Sequence, residues 1–175
     1  MEAARELGRA LAEADVGVVY GGASIGLMGA LADAALEAGG RVVGVIPKQL
    51  WAREVGRDGL TGLHIVGSMH ERKALMAELS DAFVALPGGI GTLEEFFECW
   101  TWAVLGVHRK PCALLDEDGF YTPLLSFLDQ LVQQRFLRPE HRELVFVATE
   151  PRALLRRLTE YEPPELPRWM DADET

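Results

Sequence analysis

The chain carries the segment LPGGIGTLEE at residues 86–95, and this stretch indicates the fold most clearly. It follows a short, mostly apolar run at residues 81–85, which has the length and composition of a buried strand. After it, Phe96, Trp100 and Val104 recur at helical spacing. We therefore predict a strand, a glycine-rich turn and a helix, in that order.

Three glycines in four positions suit the turn to ligand binding. Gly88, Gly89 and Gly91 let the backbone approach a ligand closely and adopt angles closed to other residues. The helix that follows directs its unpaired amides and positive dipole end towards the turn, where a phosphate fits. An alternative stays open at this point: Thr92 and Glu95 also match a capping box, in a turn that binds nothing.

Length and composition predict one α/β domain with a proper core. We place a single domain at residues 1–161 of the 175-residue chain. Residues 162–175 form an acidic, proline-containing tail that we expect to be loose. The net charge of −10 argues against a nucleic-acid partner. It does not exclude a phosphorylated small molecule, which responds to the local field of a pocket.

The sequence also predicts the compartment and the absence of metal. No apolar run approaches the ~20 residues of a membrane span, and the first helix is amphipathic rather than a signal peptide. Cys99 and Cys112 fall in a predicted helix and a predicted strand, as expected of core thiols in a reducing cytoplasm. We therefore expect a cytoplasmic protein with no membrane partner. The histidines lack paired metal spacing, so we predict no metal: His64, His70, His108 and His141.

Strands alternate with helices along the chain. We predict strands at residues 16–20, 41–46, 63–66, 81–85, 111–115 and 144–147. We predict helices at residues 2–13, up to 38 after a second glycine-rich turn at 21–29, 69–79 with Ser68 as cap, after residue 95, 121–134 and 151–160. Residues 48–62 are predicted to form a loop or a short helical turn. This order is typical of α/β proteins and predicts a Rossmann-like doubly wound parallel sheet with helices on both faces.

Both glycine-rich turns follow strands, and ligands of such folds bind beyond the carboxyl ends of the strands. This convergence favours a phosphate site. Arg72 and Lys73 lie in the first turn of a helix, where positive charge opposes the dipole unless an anion is near; the alternative is two solvated surface residues. Glu95 is either a cap or a carboxylate directed at a sugar. Together these groups permit cleavage of an N-glycosidic bond through an oxocarbenium-like state.

Two motifs, SMHERK at residues 68–73 and PGGIGTLEE at residues 87–95, resemble the paired signature of the Lonely Guy (LOG) family. Members of that family are cytokinin riboside 5′-monophosphate phosphoribohydrolases, long mislabelled as lysine decarboxylases. Further matches lie at residues 20–29, 44–47 and 101–106, and the similarity runs from about Glu2 to Val147.

The resemblance implies hydrolysis of an adenine-type nucleoside 5′-monophosphate to the free base and ribose 5-phosphate, without metal or cofactor. It implies that Arg72 and Glu95 are the catalytic pair. It also implies that the nucleotide is bound by two sets of residues. The 5′-phosphate is held by Gly88, Gly89, Ile90, Gly91 and Thr92, and the rest of the nucleotide is contacted by Glu54, Lys73 and Thr101, with Gly22, Ser24 and Met69 as further candidates.

The resemblance further implies a homodimer, or a larger oligomer, through the helix around residues 95–105. Aromatic residues spread around this helix suit burial on more than one side, although a fully buried core helix explains them equally well. Two departures from the family pattern stand out. The chain starts at the first helix, so we expect the family's first strand to be absent, and Ala52 replaces the usual proline, so we expect a different lid on the base side.

Two other functions fit this sequence less well. A non-catalytic protein that binds or carries a nucleotide-like cofactor has the same fold, but the presence of both Arg72 and Glu95 favours the enzyme. A lysine decarboxylase needs a lysine that forms a Schiff base with pyridoxal phosphate. None of the three lysines lies in a recognisable cofactor context: Lys48, Lys73 and Lys110.

Overall fold

A computed structural model describes residues 1–51 and 59–165 of the chain. The chain divides into two compact units, Met1–Ser80 and Asp81–Thr175. The single domain over residues 1–161 stays a prediction. Within the described ranges, no helix is both long and apolar enough to cross a membrane.

The first unit is a three-stranded parallel sheet with helices. Its elements are α1 (Glu2–Glu13), β1 (Val18–Tyr20), α2 (Gly26–Glu37), β2 (Val42–Pro47), α3 (Lys48–Trp51), β3 (Gly62–Val66) and α4 (Met69–Leu79). The strands lie in the order β1-β2-β3, with Val18 opposite Val42 and Val43 opposite Gly62. β2 is central and its last residues are buried, as expected of a strand covered by helices.

Helices α1 and α2 pack closely because small residues line their interface. The buried residues of α2 are mainly alanines, and a Cβ on Gly8 of α1 would overlap the carbonyl oxygen of Leu31 in α2. Glycine at residue 8 therefore sets the distance between the helices, and this contact buries Leu7 of α1 at 2% exposure.

The second unit holds another three-stranded parallel sheet. Its elements are β4 (Phe83–Ala85), α5 (Ile90–Leu105), β5 (Cys112–Leu115), a 3₁₀ turn (Glu117–Gly119), α6 (Thr122–Gln133), α7 (Pro139–Arg142), β6 (Val145–Ala148) and α8 (Pro151–Thr159). The order is β4-β5-β6, with Phe83 opposite Cys112 and Cys112 opposite Val145. Every residue of β5 is completely buried, so its sequence is a continuous apolar run rather than an alternating one.

The predicted α/β fold with parallel strands flanked by helices is confirmed. Within the described residues, the strands form two three-stranded sheets. The strand boundaries differ slightly from the prediction. β1 and β4 each begin two residues later than expected, Pro47 is the last residue of β2 rather than its terminator, and the remaining strand ends differ by at most one residue. A proline is tolerated at the end of a strand, where its missing N–H interrupts little of the ladder. Of the two alternatives predicted for the start of the 48–62 segment, a loop or a short helical turn, Lys48–Trp51 forms the helical turn.

The two cysteines are free thiols, as predicted. Cys112 is buried in β5, and burial raises the pKa of its thiol to about 12, so it stays protonated and inert. Cys99 is half-buried in α5, and its backbone carbonyl lies 3.0 Å from Nε2 of His108.

His108 joins the end of α5 to the segment that leads into β5. Its Nδ1 accepts a hydrogen bond from the backbone N–H of Lys110 at 3.1 Å, so Nε2 carries the proton and donates to the Cys99 carbonyl. Burial lowers the pKa of His108; the hydrogen bond to the Cys99 carbonyl opposes this shift, and the charge of Lys110 adds a smaller lowering. A protonated ring would lose the bond from Lys110.

We expect this histidine to make the fold sensitive to acid. A lowered pKa in the folded state means that the unfolded chain binds the proton more tightly, so stability is lost as the pH falls below about 6.5, the ordinary value for histidine. Urea unfolding of wild type at pH 7.5, 6.0 and 5.0 should show this loss, and His108→Asn should reduce it. His70→Asn, at an exposed position, should keep the wild-type pH dependence. Equal pH dependence in wild type and His108→Asn would contradict the assignment.

Candidate active site

The glycine-rich turn of the second unit leads directly into helix α5. The helix begins at Ile90, with Gly89 as its N-cap, and the amide of Leu93 donates the first hydrogen bond, to the Gly89 carbonyl at 3.2 Å. The amides of residues 90–92 precede that bond and have no acceptor within the helix. Ile90 is 84% exposed, so the helix end faces open space. An anion can approach it there.

The glycines of this turn act through size rather than through unusual backbone angles. None of Gly88, Gly89 and Gly91 has a positive φ, so the expectation that they adopt angles closed to other residues is wrong. A Cβ on Gly88 would overlap the side chain of Thr92. A Cβ on Gly89 or Gly91 would meet nothing within 4 Å. At those two positions the missing side chain leaves the backbone amides uncovered.

The alternative of a capping box at Thr92 and Glu95 is also wrong. Helix α5 begins two residues before Thr92 and has no side-chain cap. Gly89 is in an extended conformation and serves as the N-cap, which places Thr92 third in the helix with its side chain against Gly88. Glu95 is the sixth residue of the helix and half-buried, so its carboxylate has no capping role to perform.

Thr101 is two turns further along α5 and exposed. Its hydroxyl donates to the carbonyl of Phe97, one turn earlier, at 2.7 Å. The donor is therefore used within the helix, and what the side chain offers a ligand is the oxygen lone pairs.

In the first unit, Arg72 of α4 lies against the turn that follows β1. A Cβ on Gly21 would overlap the Arg72 guanidinium, and the next residue, Gly22, has φ +79° with Ile46 only 3.2 Å from a Cβ position. The missing side chain of Gly21 lets the arginine rest on the backbone at the carboxyl end of β1. Arg72 and Lys73 are both half-buried rather than freely solvated.

The N-terminus of α4 is capped almost as predicted. The hydroxyl of Ser68 accepts a hydrogen bond from the Glu71 amide at 3.1 Å. The Glu71 carboxylate accepts from the amide of Gly67 at 2.7 Å, one residue before the cap, instead of from Ser68 itself. These two hydrogen bonds fix the first turn of α4, which carries Arg72.

Two methionines lie beside Arg72. The sulfur of Met69 is 3.8 Å from Nη1 of Arg72, and the sulfur of Met28 is 3.4 Å from a Cβ position on Gly21. Each methionine is 42% exposed. Met69 was among the candidates, but sequence reasoning did not single out Met28, because its place in α2 shows no departure from an ordinary helix.

The remaining candidates are placed as follows. Ser24 is half-buried in the turn before α2, and its carbonyl lies where a Cβ on Gly29 would be. Glu54 and Ala52 lie outside the described residues. In the ranges that the structure covers, no three histidine, cysteine or acidic side chains come together as metal ligands, and the absence of metal stays a prediction.

Comparison with known proteins gives the family. The family model described as "Possible lysine decarboxylase" matches residues 28–158. The chain is 54% identical over 148 residues to a cytokinin riboside 5′-monophosphate phosphoribohydrolase of Rhodococcoides fascians, covering 84% of this chain and 75% of that protein. The chain belongs to the LOG family. A second cytokinin riboside 5′-monophosphate phosphoribohydrolase, called LOG and from Oryza sativa subsp. japonica, is 50% identical over 162 residues, covering 93% of this LOG-family chain and 67% of the rice protein.

Solved structures share the fold of this LOG-family protein. The molybdenum cofactor binding protein of Rippkaea orientalis matches with a TM-score of 0.68 at 20% identity, covering 91% of this chain and 85% of that one, which shows a common fold. The molybdenum cofactor carrier protein of Chlamydomonas reinhardtii matches with a TM-score of 0.67 at 26% identity, covering 91% and 87%.

The contact between Gly88 and Thr92 gives a paired test of the turn's geometry. Gly88→Ala should lower the free energy of unfolding by about 1–3 kcal/mol, since the added Cβ overlaps Thr92. Gly91→Ala should be neutral or stabilise by roughly 0.4–1 kcal/mol, because Gly91 is the second residue of α5, has no positive φ and has open space at its Cβ position. Urea unfolding of both variants measures the difference. Equal effects would show that Thr92 does not pack against Gly88.

Proposed function

We propose that this LOG-family protein hydrolyses the N-glycosidic bond of adenine-type, cytokinin nucleoside 5′-monophosphates. The observation that carries the proposal is the 54% identity to the cytokinin riboside 5′-monophosphate phosphoribohydrolase of Rhodococcoides fascians, in a chain that has both Arg72 and Glu95 in their signature positions. The products are the free base and ribose 5-phosphate. The substrate is the proposed partner, with no cofactor, metal or nucleic acid required.

The turn at residues 86–92 supports a role in binding the 5′-phosphate. Its uncovered amides meet the N-terminus of α5, whose first turn contains no acidic residue. Hydrogen bonds from backbone amides and the helix dipole both favour an anion there. The local field allows this despite the overall charge of −10.

The reaction itself needs charge stabilisation at the sugar. As the bond between C1′ and the base nitrogen breaks, its electron pair leaves with the base and positive charge develops on the ribose. The oxygen of water bonds to C1′, the water loses a proton, and the base gains one. We assign Glu95 to stabilise the developing cation or to orient the water, and Arg72 to assist the departing base or hold the phosphate.

The other proposed substrate contacts follow from the family signatures. Lys73 and Thr101 are assigned to the nucleotide, and Glu54 is assigned with them although it lies outside the described residues. Gly22, Ser24 and Met69 are further candidates in the first unit. The half-exposed sulfurs beside Arg72 offer a polarizable, apolar surface of the kind that suits a base or its substituent.

Base release tests the proposed reaction and its two assigned residues. Purified protein should release base from AMP and from isopentenyladenosine monophosphate, as measured by chromatography, and the ratio gives the preference for an isoprenoid side chain. Glu95→Gln and Arg72→Ala should each lower kcat/KM by about 10²–10⁴-fold, because each removes a group that acts on the transition state.

Matched controls separate catalysis from folding. Glu94→Gln changes the neighbouring, exposed carboxylate of the same helix, and Arg5→Ala removes an exposed arginine of α1, so both should keep wild-type rates. Wild-type rates in Glu95→Gln or Arg72→Ala would refute the assignment of that residue.

A second candidate function is a carrier that binds a nucleotide-like cofactor without cleaving it. The 26% identity to the molybdenum cofactor carrier protein of Chlamydomonas reinhardtii favours it over other non-enzymatic functions. Well-folded protein that binds AMP but releases no base from either nucleotide would select this function over the hydrolase.

We propose a homodimer through the helix around residues 95–105. One face of α5 is buried in its own unit through Phe96, Trp100 and Ala103, and most of the other residues of the helix are half-buried or exposed, which supports an interface over a fully buried core helix. Phe97 packs against the core of the unit. Trp102 is half-buried but is not among the described residues that form or pack against that core. An aromatic side chain of this kind suits the centre of an interface.

Light scattering on a size-exclusion column tests the dimer. Wild type should elute at twice the chain mass of 19.3 kDa, and Trp102→Glu should shift the mass towards one chain because a charge at an interface core is costly. Phe127→Glu, at a 54% exposed position of α6, should keep the dimer. A wild-type monomer, or a dimer that persists in Trp102→Glu, would exclude this interface.

The proposed compartment is the cytoplasm. The two free cysteines support it, since reduced thiols are the rule there. Fractionation of cells followed by immunoblotting tests it, and recovery of the protein outside the cytoplasmic fraction would overturn it.

A further inference from the structure

Tyr121 makes a long-range contact with the start of the glycine-rich turn. The side chain is 1% exposed, and its hydroxyl donates a hydrogen bond of 2.5 Å to the carbonyl of Leu86, which lies 35 residues earlier in the chain. Leu86 connects β4 to the Pro-Gly-Gly segment. The phenol therefore holds the first residue of the turn, within the same unit.

Asp116 fixes Tyr121 from the other side. It follows β5 directly and is 6% exposed, which makes it the one charged residue buried among those described. One carboxylate oxygen accepts the Tyr121 amide at 2.6 Å, and the other accepts the Thr122 hydroxyl at 3.5 Å. The Asp116 amide donates to the Ala148 carbonyl of β6 at 2.8 Å. A chain of hydrogen bonds thus runs from the sheet through Asp116 and Tyr121 to Leu86.

The turn has few other tethers at this end. Pairing between β4 and β5 ends at Ala85 opposite Leu114, and Pro87 has no N–H to donate. The carbonyl of Leu86 lies just beyond the ladder, where the Tyr121 hydroxyl supplies its donor. On the far side of the turn, Gly88 is held by contact with Thr92.

We propose that Tyr121, oriented by Asp116, is a positioning residue that holds the glycine-rich turn in the geometry that binds the 5′-phosphate. The proposal rests on the proposed function, because it assigns the phosphate to this turn. Tyr121 acts through the Leu86 carbonyl and does not touch the substrate.

The chemistry of the phenol suits a constant tether. Burial, and secondly the charge of Asp116, raise the pKa of Tyr121 to about 12. The hydroxyl therefore keeps its proton and its donor role across any ordinary assay pH.

Tyr121→Phe removes the hydroxyl and keeps the ring, and calorimetry with two ligands reads the result. We expect the Kd for ribose 5-phosphate to rise about tenfold, the scale of one lost hydrogen bond, while the Kd for adenosine, which has no phosphate, stays within twofold of wild type. The KM for AMP should rise by a similar factor with kcat changed little, as for a lost binding contact. Tyr161→Phe, at a half-buried tyrosine of the same unit, should match wild type.

Asp116→Asn is the second variant. Its amide oxygen still accepts the Tyr121 amide, so we expect a smaller rise in the Kd for ribose 5-phosphate, about threefold, again with adenosine unaffected. Unchanged ribose 5-phosphate binding in both variants would overturn the proposal. Equal losses for ribose 5-phosphate and adenosine would also overturn it, because they indicate general loss of structure.

These measurements separate the positioning role from the hydrolase assignment. Binding of ribose 5-phosphate needs no turnover, so wild-type protein that binds it but releases no base would refute the hydrolase alone. Wild-type protein that binds no ribose 5-phosphate would refute the phosphate site and the role of Tyr121 together.

Discussion

The first amides of an α-helix have no partners within the helix, and this constraint gives α5 its importance. In most helices a side chain or water satisfies these donors. Here Gly89 is the N-cap and offers no side chain, and the space beside Gly89 and Gly91 is open. Under the proposed function these donors take the 5′-phosphate, which requires the second unit to hold the turn in a fixed geometry.

The second unit meets that requirement by tying both sides of the turn. Thr92 contacts Gly88 from within the helix, and Tyr121 holds the carbonyl of Leu86 from the N-terminus of α6. The Tyr121 contact depends on the completely buried strand β5, since Asp116 continues from it and orients Tyr121. A rigid apolar core thereby sets the geometry of a polar, exposed feature, as precise binding requires.

The description of the matching family model names a decarboxylase, but the residues of this chain suit another chemistry. Lys48 and Lys110 are not part of either signature, and Lys73 is half-buried beside Arg72. The named relatives at about 50% identity are phosphoribohydrolases. A turn that offers amides to a phosphate, with an arginine and a carboxylate in the signatures, agrees with those names and requires no Schiff base.

The sequence by itself determined the order of strands and helices, both glycine-rich turns and the family signatures, because periodicity and glycine spacing are local properties. It left open whether Thr92 is a cap, and only the structure showed that the helix begins at Ile90. Tertiary structure alone placed Arg72 against Gly21 and joined Tyr121 to Leu86. These pairs lie 51 and 35 residues apart in the chain, and packing brings them together through contacts that no local pattern encodes.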